Sequence, residues 1–418
     1  MNTTLKYNYL TLQSYLLALI AFSMPFSIKV NTWLILLCTL HYVCDKALLQ
    51  KAKAVVKDRY VQLLLLFFLA YVLSYFLSTN KTEGFAIVER RGSLLLLPFL
   101  LYRHDTAVIK KIALWFVYGL VAAFLVCLVN AAIRYHVDKN TTVFFYQELT
   151  RVIDFNAVYL AAYCLIGIHI LLYYFRSLSV LLAVSCIMIL LLFCLLLNSK
   201  MMLFILFAGL VIYGFNFFSK KAALLISGMG LLGILAIGIG VPKVKERMAL
   251  ELSSNFKVVE QDSFRYDTQF TGTSLRLLFW KFSFEIQSEH HAWLTGLNTG
   301  DFQDALNKKY IETNLYHGNP DLHDTGYLGY GPHNQYIEVL FSMGIIALLV
   351  FICLLALYLK NAIRSHNYMG IQVMVLFVLF FFTESVLSVN KGIVPFVFFT
   401  VLFMHLAKAD NFNKKPVE

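Results

Sequence analysis

Residues 332–359 read PHNQYIEVLFSMGIIALLVFICLLALYL, and in them a polar run passes directly into an apolar one. A membrane-crossing helix needs roughly 20 mostly apolar residues, and 334–359 supplies them with Glu338 as its one charged side chain. Before it lies the longest polar stretch of the chain, 243–331, and before that the sequence is apolar again. Working outward, twelve spans can be read, at 10–28, 31–49, 61–79, 86–102, 107–132, 155–175, 178–197, 201–218, 221–241, 334–359, 367–384 and 389–407. Composition agrees: with 59% hydrophobic residues, 14% charged and a mean hydropathy of +0.70, the chain cannot cover a soluble domain with a polar surface. The expected fold is an all-α polytopic membrane protein with about twelve transmembrane helices. Residues 1–242 carry nine of them, 243–333 form one long loop containing short helices, and 334–418 carry the last three and a tail.

The first span contains Pro25 and shows no small-residue cleavage site, so it reads as an anchor rather than a removed signal peptide. Lys and Arg in short loops set orientation. With the N-terminus in the cytoplasm, Lys46, Lys51, Lys53, Lys57, Arg59, Lys110, Lys111, Lys360 and Arg364 gather there, and the 243–333 loop is expected outside, on the periplasmic face of a bacterium. The same bias explains most of the net charge of +11, so nucleic acid is not an expected partner. All seven Cys lie in or beside apolar spans, which leaves no disulfide framework in the loop and no zinc motif.

Nine spans precede the loop and three follow it, with no internal repeat, an asymmetry that argues against a secondary transporter. Within the loop, 241–251 is basic and could continue the ninth helix outward. Leu275, Leu278, Phe279, Phe282 and Ile286 predict an amphipathic helix over 274–287, and 301–310 predicts another short one. The Gly-, Asp- and His-rich run 317–331 reads as loop.

Several polar side chains stand out against this background. Arg276 projects from an apolar helix and reads either as an interfacial, snorkelling or ion-paired residue or as a phosphate clamp, because its planar fork of donors matches phosphate oxygens. His333 opens the tenth span between Pro332 and Asn334; it is either a structural residue at a helix start or a general base for a sugar hydroxyl. Arg90 and Arg91 lie at the start of the fourth span on the outer side, where a cation costs ~2.5–3.5 kcal/mol on insertion scales, with Glu89 as the neighbour expected to neutralise one. Lys200 sits in the tight outer turn Asn198-Ser199-Lys200. Glu384 and Lys391 flank the last outer turn and could pair with each other or with the arginines. His317, Asp321, His323 and Asp324 hold the right donor types for a metal, at a spacing that fits no named site. No phosphate-cradling Gly-rich loop, dinucleotide fingerprint or serine elbow is present, so neither ATP nor a redox cofactor is expected, and the driving energy would come from an activated substrate in the membrane.

Taken together, Arg276, Trp280, Gly296-Leu297-Asn298-Thr299-Gly300-Asp301-Phe302, Pro332-His333-Asn334-Gln335-Tyr336-Ile337-Glu338 and Gly344-Ile345 resemble the O-antigen ligase and polymerase superfamily, most strongly over 195–360. The resemblance implies a multi-span helical fold similar to other metal-independent, lipid-linked glycosyltransferases, lodged in the bacterial inner membrane with its site on the periplasmic face. It implies transfer of a glycan from undecaprenyl diphosphate to an acceptor hydroxyl, on lipid A-core for a ligase or on another lipid-linked repeat unit for a polymerase, with no cofactor. On this resemblance His333 activates the acceptor and Arg276 grips the diphosphate. Lys200 stands where the family often has a further Arg, keeping the charge but not the bidentate fork. Arg91, or its neighbour Arg90, matches a basic position before the fourth span, and Asn334, Glu338 and Glu384 would support the site. The chemistry is consistent in itself: a departing diphosphate gains negative charge, and preorganised cations facing it stabilise the transition state. Inversion at the anomeric carbon by a single displacement is the expected course. A transporter of anionic lipid heads, an envelope scaffold and a protein O-glycosylating enzyme remain as alternatives.

Overall fold

The computed structural model describes residues 3–217, 219, 221, 228, 256–265, 268–319 and 324–406. The ninth span read at 221–241 lies almost wholly outside these residues, as do the basic stretch 241–251, Asp321 and His323. Regular structure among the described residues is helical, apart from an isolated bridge between Asn319 and Asp324.

Seven helices come first in the chain: α1 Thr3–Ser23, α2 Ile28–Val43, α3 Leu48–Val56, α4 Arg59–Leu77, α5 Lys81–Arg90, α6 Ser93–Leu101 and α7 Thr106–Asp138. A short α8, Tyr146–Thr150, leads to α9 Ala157–Tyr174, α10 Val180–Leu196 and α11 Lys200–Phe217. Then come α12 Gly272–Glu289, α13 Phe302–Glu312, α14 Gln335–Arg364, α15 Tyr368–Phe381 and α16 Asn390–Phe403. Polar residues punctuate the apolar sequence and so set where helices begin. Asp58 caps α4 by accepting from Tyr60 N at 2.9 Å, Asp105 caps α7 at Val108 N, and Asn156 caps α9 at Val158 N.

Four of these segments, Arg59–Leu77, Thr106–Asp138, Ala157–Ser177 and Gln335–Arg364, are long and apolar enough to cross a membrane, five if the bent pair α2 and α3 forms one span. Shorter apolar helices accompany them at Thr11–Ser23, Val180–Leu196, Lys200–Phe215, Tyr368–Phe381 and Asn390–Phe403. Their outward faces are apolar too, with Leu181 82% and Trp33 72% exposed, a surface suited to lipid rather than water. Together they indicate a membrane protein.

Two segments read as single spans are broken. The second divides into α2 and α3 at a 113° bend, where Asp45 turns the chain by accepting from Ala47 N and pairing with Lys51. The fourth divides into α5 and α6 at Arg91 and Gly92, because Arg91 turns its guanidinium inward to a carboxylate on α14. Helices α1 with α7, α4 with α14, α9 with α10 and α6 with α16 make the principal packing pairs. Aromatic rings fill the interior, such as Phe116 against Phe399 and Phe67 against Phe351.

The helix expected over 274–287 is α12, with Leu278, Phe279, Phe282 and Ile286 buried and Leu275 packed beside them. Thr271 starts it through a reciprocal capping box with Ser274. The short helix expected over 301–310 is α13.

Candidate active site

The site is built on the first turn of α14. Asn334 is extended and caps that turn, its side-chain oxygen accepting from Tyr336 N at 3.0 Å and Ile337 N at 3.1 Å. Its amide nitrogen donates to the Phe382 carbonyl at 3.2 Å, fastening α14 to the end of α15. One residue earlier, His333 has φ of +48°, a left-handed backbone uncommon outside glycine and held here by its surroundings. On its chain-preceding side the Pro332 carbonyl accepts from the indole of Trp280 at 2.8 Å. Phe279 lies nearly parallel to the imidazole with ring centres 6.3 Å apart, and Tyr330 is tilted against it at 5.8 Å. Tyr330 is itself anchored: its carbonyl accepts from the Tyr310 hydroxyl at 2.8 Å, and burial pushes that phenol well above its usual range, so it stays a donor.

Glu384 joins His333 and Arg276. Its Oε2 lies 3.1 Å from His333 Nδ1 and its Oε1 3.0 Å from Arg276 Nη2. Arg276 also donates through Nε to the Thr383 carbonyl at 3.2 Å and through Nη1 to the Gly272 carbonyl at 3.4 Å. A carboxylate only accepts, so Nδ1 carries a proton, and in the neutral imidazole the lone pair falls to Nε2. Nε2 meets no protein partner among the described residues, and the imidazole is 32% exposed. Such an arrangement can take a proton from a hydroxyl brought to Nε2, with a guanidinium at hand for an anion.

Glu338, one turn along α14, belongs to a second cluster. Its Oε1 is 3.1 Å from Arg91 Nη2, and both carboxylate oxygens accept from the Ser388 hydroxyl, at 2.6 and 2.5 Å. The Arg91 guanidinium lies 4.4 Å from the centre of the Tyr71 ring and donates to the Ile87 carbonyl at 3.2 Å. It is 2% exposed, so its charge is turned into the protein rather than towards an incoming anion. Arg90 points outward and pairs with Glu83 at 3.1 Å, both side chains 44% exposed. The carboxylates that meet the two arginines are thus Glu83 and Glu338, not Glu89. Lys200 is the first residue of α11. Lys391 turns away from Glu384, donating to the Asp154 carbonyl at 2.9 Å above the Phe155 ring.

The glycine-containing stretch 296–302 proves to be a brace. Leu297 N donates to the Phe341 carbonyl and Ile345 N to the Trp293 carbonyl, each at 2.9 Å, so loop backbone enters a break in α14 at Gly344. Gly344 has φ of +75°, and a Cβ there would stand 2.1 Å from the Leu294 carbonyl oxygen; on Gly296, φ +72°, it would stand 2.4 Å from Met343 N. Only glycine fits at both. On the other side, Thr299 N and Gly300 N donate to the hydroxyls of Ser74 and Ser78, while Asp301 accepts from Thr79 N and Asn80 N at the start of α5. The loop therefore ties α4 and α5 to α14. Of the metal-capable group, His317 faces the Leu315 carbonyl and Asp324 accepts from the Tyr316 hydroxyl and from Gly326 N.

Sequence reasoning missed Ser388, Thr383 and Tyr71. A hydroxyl in a turn, a backbone carbonyl and a ring in an apolar helix leave no local signal, and each gains its role from a partner on another element.

No curated protein matches the chain. Residues 185–352 match the family model described as O-antigen ligase, a stretch that includes Lys200, Arg276, His333, Asn334 and Glu338, and this match supports the O-antigen ligase superfamily for the chain.

Proposed function

We propose that the chain is a ligase that moves a glycan from undecaprenyl diphosphate to a hydroxyl of lipid A-core at the periplasmic face of the bacterial inner membrane. In this reading about twelve helices span the bilayer and the 243–333 segment covers the site from outside. The observation that carries it is Glu384 held between His333 and Arg276, which supplies an oriented base and a cation side by side. His333 Nε2 takes the acceptor proton as the acceptor oxygen bonds to the anomeric carbon. The bond from that carbon to the diphosphate oxygen breaks, and the electron pair leaves on the phosphate. Arg276, with two N–H groups left over from its protein contacts, and Lys200 offset the charge that develops there. Attack opposite the leaving group inverts the anomeric centre. Glu384 keeps the imidazole in the tautomer that accepts a proton at Nε2.

Purified protein, lipid-linked glycan and lipid A-core acceptor, incubated with a chelator, form the test. Transfer that persists in chelator and disappears in His333→Ala supports the reading; transfer undiminished in His333→Ala, or none in the wild type, overturns it. In cells, deletion separates the two acceptors: bare core with polymer left on the carrier marks a ligase, whereas core capped by single repeats marks a polymerase.

A further inference from the structure

The Arg91–Glu338 pair is sealed from solvent, with side chains 2% and 4% exposed. A buried ion pair adds little to stability over apolar residues of similar volume, because desolvation offsets the attraction, and in some proteins its role is to specify how the elements it joins are arranged. The elements joined here are telling. Arg91 marks the break between α5 and α6, Glu338 lies on the first turn of α14, and Ser388 is in the turn between α15 and α16 that also carries Glu384. The same turn is held to α14 by two more contacts, Leu387 N to Gln335 Oε1 at 2.5 Å and Asn334 Nδ2 to the Phe382 carbonyl. Among the described residues, these hydrogen bonds between the Glu384 turn and α14 all come from the five residues that directly follow His333.

We propose that Arg91, Glu338 and Ser388 form a positioning latch that holds Glu384 at hydrogen-bonding distance from His333 and Arg276. None of the three touches the reacting atoms. Arg91, lying over the Tyr71 ring, fixes the Glu338 carboxylate, Glu338 receives the Ser388 hydroxyl on both oxygens, and Ser388 thereby sets the turn four residues after Glu384. The assignment rests on His333 acting as the base, and it names Ser388 as a residue whose loss slows transfer without weakening substrate binding.

Ser388→Ala removes one hydroxyl and leaves Arg91, Glu338 and the helices intact, so folding is spared. Ser388→Thr keeps the hydroxyl. The assay measures kcat and donor KM with the purified full chain, undecaprenyl-diphosphate-linked glycan and acceptor, alongside His333→Ala. A misplacement of 1 Å costs about 100-fold in rate, and a loosened turn is expected to lose about tenfold in kcat at unchanged KM, with Ser388→Thr restoring most of it. Ser388→Ala at wild-type kcat, while His333→Ala is inactive, overturns the latch and leaves the proposed function standing. So does a Ser388→Ala protein whose only fault is lower yield, or a rise in KM that matches the fall in kcat. If His333→Ala transfers glycan normally, the functional reading itself fails and the latch fails with it.

Discussion

Arg91 and Arg276 each meet a glutamate, at 3.1 and 3.0 Å, in two clusters built on one turn of α14. Around Arg91 the protein closes: the guanidinium is 2% exposed, stacked on Tyr71 and matched by a carboxylate that is itself filled by Ser388. Around Arg276 it stays open, with the side chain 34% exposed and the partner carboxylate shared with an imidazole. Equal distances therefore carry different energies. In the sealed pair, removing one partner strands a charge in a low dielectric; in the open pair, water replaces much of what is lost. The closed cluster suits holding and the open one suits binding.

Breaking the open cluster at its base gives the largest effect. His333→Asn, a residue that tolerates positive φ, is expected to lower transfer by about 10²–10⁴-fold, the usual contribution of a general base. Membrane-inserted protein measured by immunoblot should not change; full activity in this variant ends the catalytic assignment. The closed cluster answers in stability. Arg91→Met leaves Glu338 buried without a counter-charge and should cost about 3–5 kcal/mol, read as a lower melting temperature in detergent. Adding Glu338→Met should recover most of that stability, yet leave turnover slow because Ser388 has lost its acceptor. Recovery of both together would remove the distinction between the two clusters.

Arg276→Lys keeps the charge and loses the fork that spans Glu384 and Thr383, so a fall of about 100-fold in kcat is expected with little change in melting temperature. A stability loss as large as that of Arg91→Met would show that the open pair is also structural. Gly344→Ala tests the brace that supports both clusters. The left-handed backbone alone costs about 1–3 kcal/mol for a residue with a Cβ, and the Leu294 carbonyl must move as well, so thermal stability and transfer should fall together. Arg90→Ala supplies the smallest effect. Its exposed pair with Glu83 is worth about 0–1 kcal/mol, and neither melting temperature nor activity should shift measurably.

Much of the helical organisation is readable directly. Eleven of the twelve apolar runs overlap a helix given above, the ninth lying almost wholly outside the described residues, and the periodicity over 274–287 places α12 with its buried face correct. Where a run read as one span is divided between two helices, at α2–α3 and at α5–α6, a polar residue sits at the division, with its partner near in one case and far in the other. Asp45 and Lys51 are six residues apart and could have been noticed. Arg91 and Glu338 are separated by 247 residues, and no pattern near either announces the other.

Local sequence determined the elements of this protein because hydrophobic periodicity and capping act over a few residues: an apolar run becomes a helix, Asn334 starts one, and an isolated Arg or His in such a run stands out. Tertiary structure alone decided which cation faces inward and which outward, and which carboxylate meets which base. Those outcomes depend on burial and on distances of about 3 Å between segments far apart in the chain, quantities that exist only once the helices have packed.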